Sequence, residues 1–255
     1  MQFRLLGPIE AVAGGFPVSL PPRPQSRAVL AVLLLAAGEA VTTAALRDRL
    51  WGTGAAPASA VSAIQGHVHH LRKCLDSAGG PRIRTHRAED TDQVSYALPA
   101  GRDAVDSARF RRLVAAGETA QARGDTTSAV RCFDAALTLW RGEPVPELRT
   151  SPYAVATRHA LAGLRQDAAK RRAGGLLELG AVSRATAELL VLNAQQPGDE
   201  GTVLLLADAL CRSGGRARAL HLLTEEAGRW ERDFGLVPAG LRRERERIAG
   251  RRDGV

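Results

Sequence analysis

Serine, glutamine, glycine, histidine and arginine crowd one side of a single stretch, residues 59–77, which reads SAVSAIQGHVHHLRKCLDS. At the helical step of about 100° per residue, Ser59, Ser62, Gly66, His70 and Lys73 gather round one pole, with His69 and Arg72 beside them. Val61, Ile64, Val68, Leu71 and Leu75 recur at three- and four-residue steps, the spacing of a core-facing stripe. The outer face is small at its start, rich in hydrogen-bond donors at its end, and free of acids before Asp76. A helix that enters the major groove of DNA needs that surface: little bulk where it meets bases, cations where it meets phosphates. Gln65, His69 and His70 are then the base-edge candidates, and Arg72 and Lys73 the phosphate candidates. An ordinary solvated helix would show much the same face, so the flanking sequence has to decide. His67, His70 and Cys74 also share a face and suggest a metal, but zinc sites usually draw on a fourth ligand and a loop-borne pair. Only His86 is near, and no metal is expected. With ordinary histidine titrating near pH ~6.5, charge on His67, His69 and His70 would make DNA affinity fall as pH rises.

Other chemistries leave no trace. There is no GxxxxGK[ST] loop, no strand-linked GxGxxG, no HExxH and no GxSxG, so neither catalysis nor a cofactor is expected. Glu225 and Glu226 follow His221 by one turn, without a further ligand or nucleophile, and read as a solvated helix face. Of 35 basic residues only Lys73 and Lys170 are lysine, a bias of GC-rich coding, so the net charge of +8 hints at nucleic acid only weakly. Residues 1–100 carry 10 cations against 7 acids, and residues 101–255 carry 25 against 20. Any DNA is therefore bound by arrangement and not by bulk charge. The longest apolar run, residues 28–37, is half a membrane span. No signal-peptide layout opens the chain, and Cys74, Cys132 and Cys211 are scattered, so a reducing cytoplasm is expected, with no membrane partner.

The elements that would hold the 59–77 helix follow from turn signals. Short apolar segments at 3–5, 9–12 and 16–18, parted by Gly7-Pro8 and Gly14-Gly15, predict a small antiparallel sheet. Helices follow at about 25–37 and 44–50, the second capped by Thr43. After the 59–77 helix, runs at 83–85 and 94–98 flank a polar loop, 86–93, and predict a hairpin. Three helices and a hairpin make a winged helix-turn-helix, with Arg82, Arg84 and Arg87 in the wing.

From residue 105 onward the pattern is helical: 107–122, 126–140, 151 to 173 or beyond, 184–195, 201–211 and 216–234. Ala129-x3-Phe133-x2-Ala136 has the small-aromatic-small spacing of a tetratricopeptide helix, repeated at Ala185 and, 34 residues later, at Ala219. The step from Ala129 to Ala185 is 56, so one extra helix is inserted. Gly174-Gly175 predicts a kink or break in it. Arg242 to Arg252 alternates with Glu244 and Glu246, as a solvated face does. The fold class is thus mainly α: a winged-helix domain over 1–100 and an all-α, tetratricopeptide-like domain over 101–250.

PPRPQSRAVLAVLLLAAGEAV, LRDRLWG and PASAVSAIQGHVHHLRKCL, in that order, resemble the response-regulator type of winged helix and, more closely, the Streptomyces antibiotic regulatory protein family. ARFRRLVAAG, ALTLWRG, LCRSGGRARAL and DFGLVPAGLRRERERI resemble that family's bacterial transcriptional activator domain. The resemblance implies an activator of a secondary-metabolite cluster. Its operator would be tandem direct repeats near the promoter −35 element, with two protomers side by side on double-stranded DNA. The helical domain would recruit RNA polymerase holoenzyme through its sigma factor. Relatives usually carry arginine where this chain has His70, which puts base preference in question. Larger relatives append an ATPase or a phosphopeptide-binding domain; the sequence stops before either, so neither activity is expected. Two other functions stay open: a helical-repeat adaptor for a protein partner with the winged helix as scaffold, and a DNA-binding repressor.

Overall fold

Glycines set the second turn of the opening sheet. Strands β1 (Gln2–Arg4), β2 (Glu10–Ala13) and β3 (Phe16–Val18) pair antiparallel in that order, with Phe3 opposite Ala11 and Ala13 opposite Phe16. Only Gly14 and Gly15 separate the last pair, at φ of 57° and 88°, the positive values that a two-residue hairpin demands. Phe3 and Ala11 turn inward onto helix α1 (Pro24–Leu35), whose residues 28–34 are buried on every side. A helix with no polar face has to be enclosed; α2 (Thr43–Trp51) and α3 (Ala60–Ser77) pack on α1 to enclose it. The computed structural model describes residues 1–53, 56–87, 93–149 and 151–250.

A strand that the sequence pattern did not announce, β4 (Val41–Thr42), joins β5 (Arg84–Arg87) and β6 (Val94–Ala97) in an antiparallel sheet ordered β4-β6-β5. Thr42 and not Thr43 caps α2, its hydroxyl accepting from the Ala45 amide at 3.1 Å. Thr43 instead donates to the Val94 carbonyl at 2.9 Å and ties α2 to the wing. The wing hairpin is as expected in position, but residues 88–92 of its loop lie outside the described residues, as do Arg251 and Arg252 of the basic stretch.

By compactness the chain forms two units, residues 1–115 with 135–164, and residues 116–134 with 165–255. The first thus includes the start of helix α4 (Asp106–Ala122), the end of α5 (Thr126–Leu137) and the start of α6 (Pro152–Glu178). Asp106 accepts from the Leu5 and Leu6 amides at 2.7 and 3.1 Å, and the Arg141 and Val145 amides donate to the carbonyls of Leu6 and Leu5. Ser151 caps α6 through the Ala154 amide and donates to the Arg49 carbonyl.

In the second unit the repeat spacing is realised as packing. Ala129, Phe133, Ala185, Leu189, Ala219 and Leu223 are all buried. Helices α7 (Val182–Gln195), α8 (Glu200–Arg212), α9 (Arg216–Phe234) and α10 (Ala239–Gly250) each pack on the next. The predicted break at Gly174-Gly175 is absent: α6 runs unbroken to Glu178. Gly175 serves close approach instead, since a Cβ there would lie 2.6 Å from the Val130 side chain. Arg172 and Arg184 each bond both Asp134 and Glu188, tying α5, α6 and α7 together. Asp199 caps α8 through Thr202 and takes Lys170 at 3.2 Å. Burial opposes its charge, but those bonds outweigh it and hold its carboxyl below the ordinary range. Among the described residues no helix is long and apolar enough to cross a membrane.

Candidate nucleic-acid interface

The buried stripe of α3 is Ala60, Ile64, His67, Val68, Leu71 and Leu75, which keeps four of the five expected positions and exchanges Val61 for Ala60 and His67. Val61 stands at its margin and is 49% exposed, while His67 takes an inward place. A partner makes that inward place tolerable: Ser26 of α1 lies 2.9 Å from His67 Nδ1. Burial foremost, then the charges of Arg23 and His70, push the His67 pKa below the ordinary histidine value. His67 is therefore a neutral core residue and drops out of the charge-based pH dependence expected from sequence. Nor can it serve the metal triad, and among the described residues no three His, Cys, Asp or Glu side chains are placed to hold a metal.

The remaining face is open. Ser59, Ser62, Gln65, His69, His70 and Lys73 are exposed, and Gly66 is half-buried. Among the described residues, and apart from its two chain neighbours and its own helix backbone, no atom comes within 4 Å of where a Cβ on Gly66 would sit. The fold thus gives no packing reason for a residue that costs about 1 kcal/mol inside a helix. His70 Nδ1 lies 2.6 Å from the Gly66 carbonyl, one turn back, and its ring meets His69 edge-on with centroids 5.9 Å apart.

Arg72 is placed differently from the phosphate ligand expected. Its Nε and Nη2 donate to the Ile83 carbonyl at 3.1 and 2.9 Å, and Nη2 also donates to Thr85 Oγ1 at 2.6 Å. The guanidinium is a clasp between α3 and β5. Beyond the clasp, Arg84 and Arg87 are exposed on β5, and Arg82 pairs loosely with Asp76 at 3.4 Å. Ser62, Gln65, Gly66, His69, His70 and Lys73 therefore share α3, with Ser59 at its N-cap, while Arg82, Arg84 and Arg87 lie in the segment that Arg72 ties to it.

A shallow notch of about 290 Å³ opens beside α3, lined by Thr43, Ala44, Arg47, Val61, Gln65 and Gln93. Arg47 and Val61 were not among the sequence candidates. Arg47 sits one turn into α2, the helix that precedes the candidate reader, and that placement in LRDRLWG was the available signal. Val61 was hidden by its hydrophobicity: spacing alone assigns a valine at a stripe margin to the core.

Comparison with known proteins agrees with this geometry. The family model described as "Transcriptional regulatory protein, C terminal" matches residues 18–89, and "Bacterial transcriptional activator domain" matches residues 105–248. Regulatory protein AfsR of Streptomyces coelicolor is 33% identical over 97% of this chain, which spans 24% of AfsR. Regulatory protein DnrI of Streptomyces peucetius is 30% identical over 94% of this chain and 88% of its own length. The solved structure of Mycobacterium tuberculosis EmbR in complex with a low affinity phosphopeptide superposes with a TM-score of 0.87 at 29% identity, covering 100% of this chain and 66% of EmbR. With both models in order along it and a relative of nearly its own span, the chain belongs to the Streptomyces antibiotic regulatory protein family of transcriptional regulators.

Proposed function

We propose that this chain is a sequence-specific DNA-binding activator of a secondary-metabolite biosynthetic cluster. Residues 1–100 bind DNA, and residues 101–250 act as the transcriptional activator domain. Two protomers sit side by side on tandem direct repeats near a promoter −35 element and recruit RNA polymerase holoenzyme through its sigma factor. The chain is not an enzyme, takes no cofactor and works in the cytoplasm. One observation carries the reading: the α3 face is polar, cationic and free of acids up to Asp76, with open space over Gly66 among the described residues. α3 enters the major groove, Gln65, His69 and His70 address base edges, and Lys73 with Arg82, Arg84 and Arg87 holds phosphates.

Selection of genomic fragments by the purified protein, followed by a salt titration on the best fragment, tests this. The expected result is direct repeats upstream of a biosynthetic cluster. Four phosphate contacts per protomer predict a slope of log affinity against log salt of about −3 to −4 for each protomer bound. Capture of a protein partner with no salt-dependent DNA binding would overturn the reading in favour of an adaptor.

A further inference from the structure

Base choice at one operator position follows from a bond inside α3. His70 Nδ1 lies 2.6 Å from the Gly66 carbonyl oxygen, and a carbonyl only accepts, so Nδ1 carries the ring proton. A neutral imidazole has one N–H, so the outer corner of the ring, Nε2, is left with its lone pair. The ring is exposed on the face that carries Ser62, Gln65 and Lys73. We infer that His70 reads an amino group in the major groove through Nε2 and prefers cytosine; this rests on the DNA-binding reading above.

The chemistry of base edges narrows the choice. Guanine offers only the acceptors N7 and O6, and a lone pair on Nε2 repels both. A phosphate oxygen is refused for the same reason. Adenine and cytosine each offer an amino donor, but adenine carries the N7 lone pair on its own ring beside that donor, whereas cytosine has only C5–H on that side of N4. His70 therefore inverts the preference of an arginine at this place, which would bond guanine O6 and N7. Such a reader depends on the ring staying neutral.

Two measurements test this. The first is on the free protein: nitrogen-15 NMR of the His70 ring at pH 8, with H70Q to assign it, is expected to show Nδ1 protonated and Nε2 bare. A proton on Nε2 overturns the inference without touching DNA binding. The second is selection from randomised operators at pH 8 with the wild type, H70A and H70R. One position is expected to favour cytosine over guanine by about tenfold, to lose that preference in H70A and to turn to guanine in H70R. All other positions should stay fixed. An identical motif from wild type and H70A overturns the role of His70. No motif from any variant would overturn specific DNA binding itself.

Discussion

At the scale of single residues, Gly66 and Arg72 separate binding from stability in opposite ways. Gly66 stands inside α3 where an added Cβ would meet open space. Gly66→Ala should stabilise the free protein by up to about 1 kcal/mol and at the same time weaken operator binding, because the methyl group occupies the space left for DNA. A melting curve and a DNA titration on one preparation check both halves; unchanged DNA affinity would mean that nothing approaches α3 there. Arg72 predicts the reverse. Its loss leaves the buried Ile83 carbonyl without its charged donor, so Arg72→Ala should cost about 1–3 kcal/mol in the protein without DNA. It should also speed amide exchange along β5. An arginine that only held phosphate would leave the free protein unchanged. Lysine restores little, since it lacks the planar fork that meets Ile83 and Thr85 together. The sequence shows these residues plainly as polar members of one helix. It does not show which cations the fold has already used: the spacing of Arg72 and Lys73 is the same whether the partner is a phosphate or the Ile83 carbonyl.

At the scale of elements, the pairing of α1 with α3 turns on a histidine. His67 is neutral in the fold because burial and nearby positive charge lower its pKa, whereas the unfolded chain returns it to the ordinary value near ~6.5. Below that value the unfolded state binds the proton more readily, so stability is complete above it and is lost as pH falls towards the lowered folded value. The melting temperature should therefore drop between pH 7 and pH 5.5, and His67→Gln, which keeps a partner for Ser26, should flatten that drop. A parallel pH profile in the variant would place the effect elsewhere. Periodicity made most helices legible, because an apolar run such as 28–34 or a stripe such as Ile64, Val68, Leu71 and Leu75 has few ways to be buried. It missed β4, whose two residues form a strand only because β6 lies beside them. Its expectation of a break at Gly174-Gly175 also failed, since Gly175 within α6 answers to the Val130 side chain and not to its own helix. Gly175→Ala should accordingly destabilise the protein even though alanine is the better helix former; overpacking of this kind costs about 1–3 kcal/mol.

At the scale of the whole molecule, the N-terminal unit is not a contiguous piece of sequence. All four polar backbone groups of Leu5 and Leu6 are bonded by residues beyond 100: Asp106 takes both amides, and the Arg141 and Val145 amides reach both carbonyls. Val105, Val145, Leu148 and Ala154 are buried in the same core as α1 and α3. A stand-alone fragment of residues 1–100 loses these bonds and apolar neighbours, and each large side chain withdrawn removes about 1.5–3 kcal/mol of burial. Against a typical total of 5–15 kcal/mol, that is enough to bring the fragment close to unfolding. Its melting temperature should lie well below that of the full chain followed through a probe on α3, with its DNA affinity reduced in proportion to the fraction folded. Added operator DNA should recover part of the loss, because a ligand that binds only the folded form stabilises it. A fragment that melts with the full chain would show that residues 105–154 cover the N-terminal core without supporting it. The predicted loss would show instead that the reading helix is held in place by the first part of the activator domain itself. A substitution such as Asp106→Ala, far from α3 in sequence, would then lower DNA binding by lowering the folded fraction, and operator DNA in excess would rescue it.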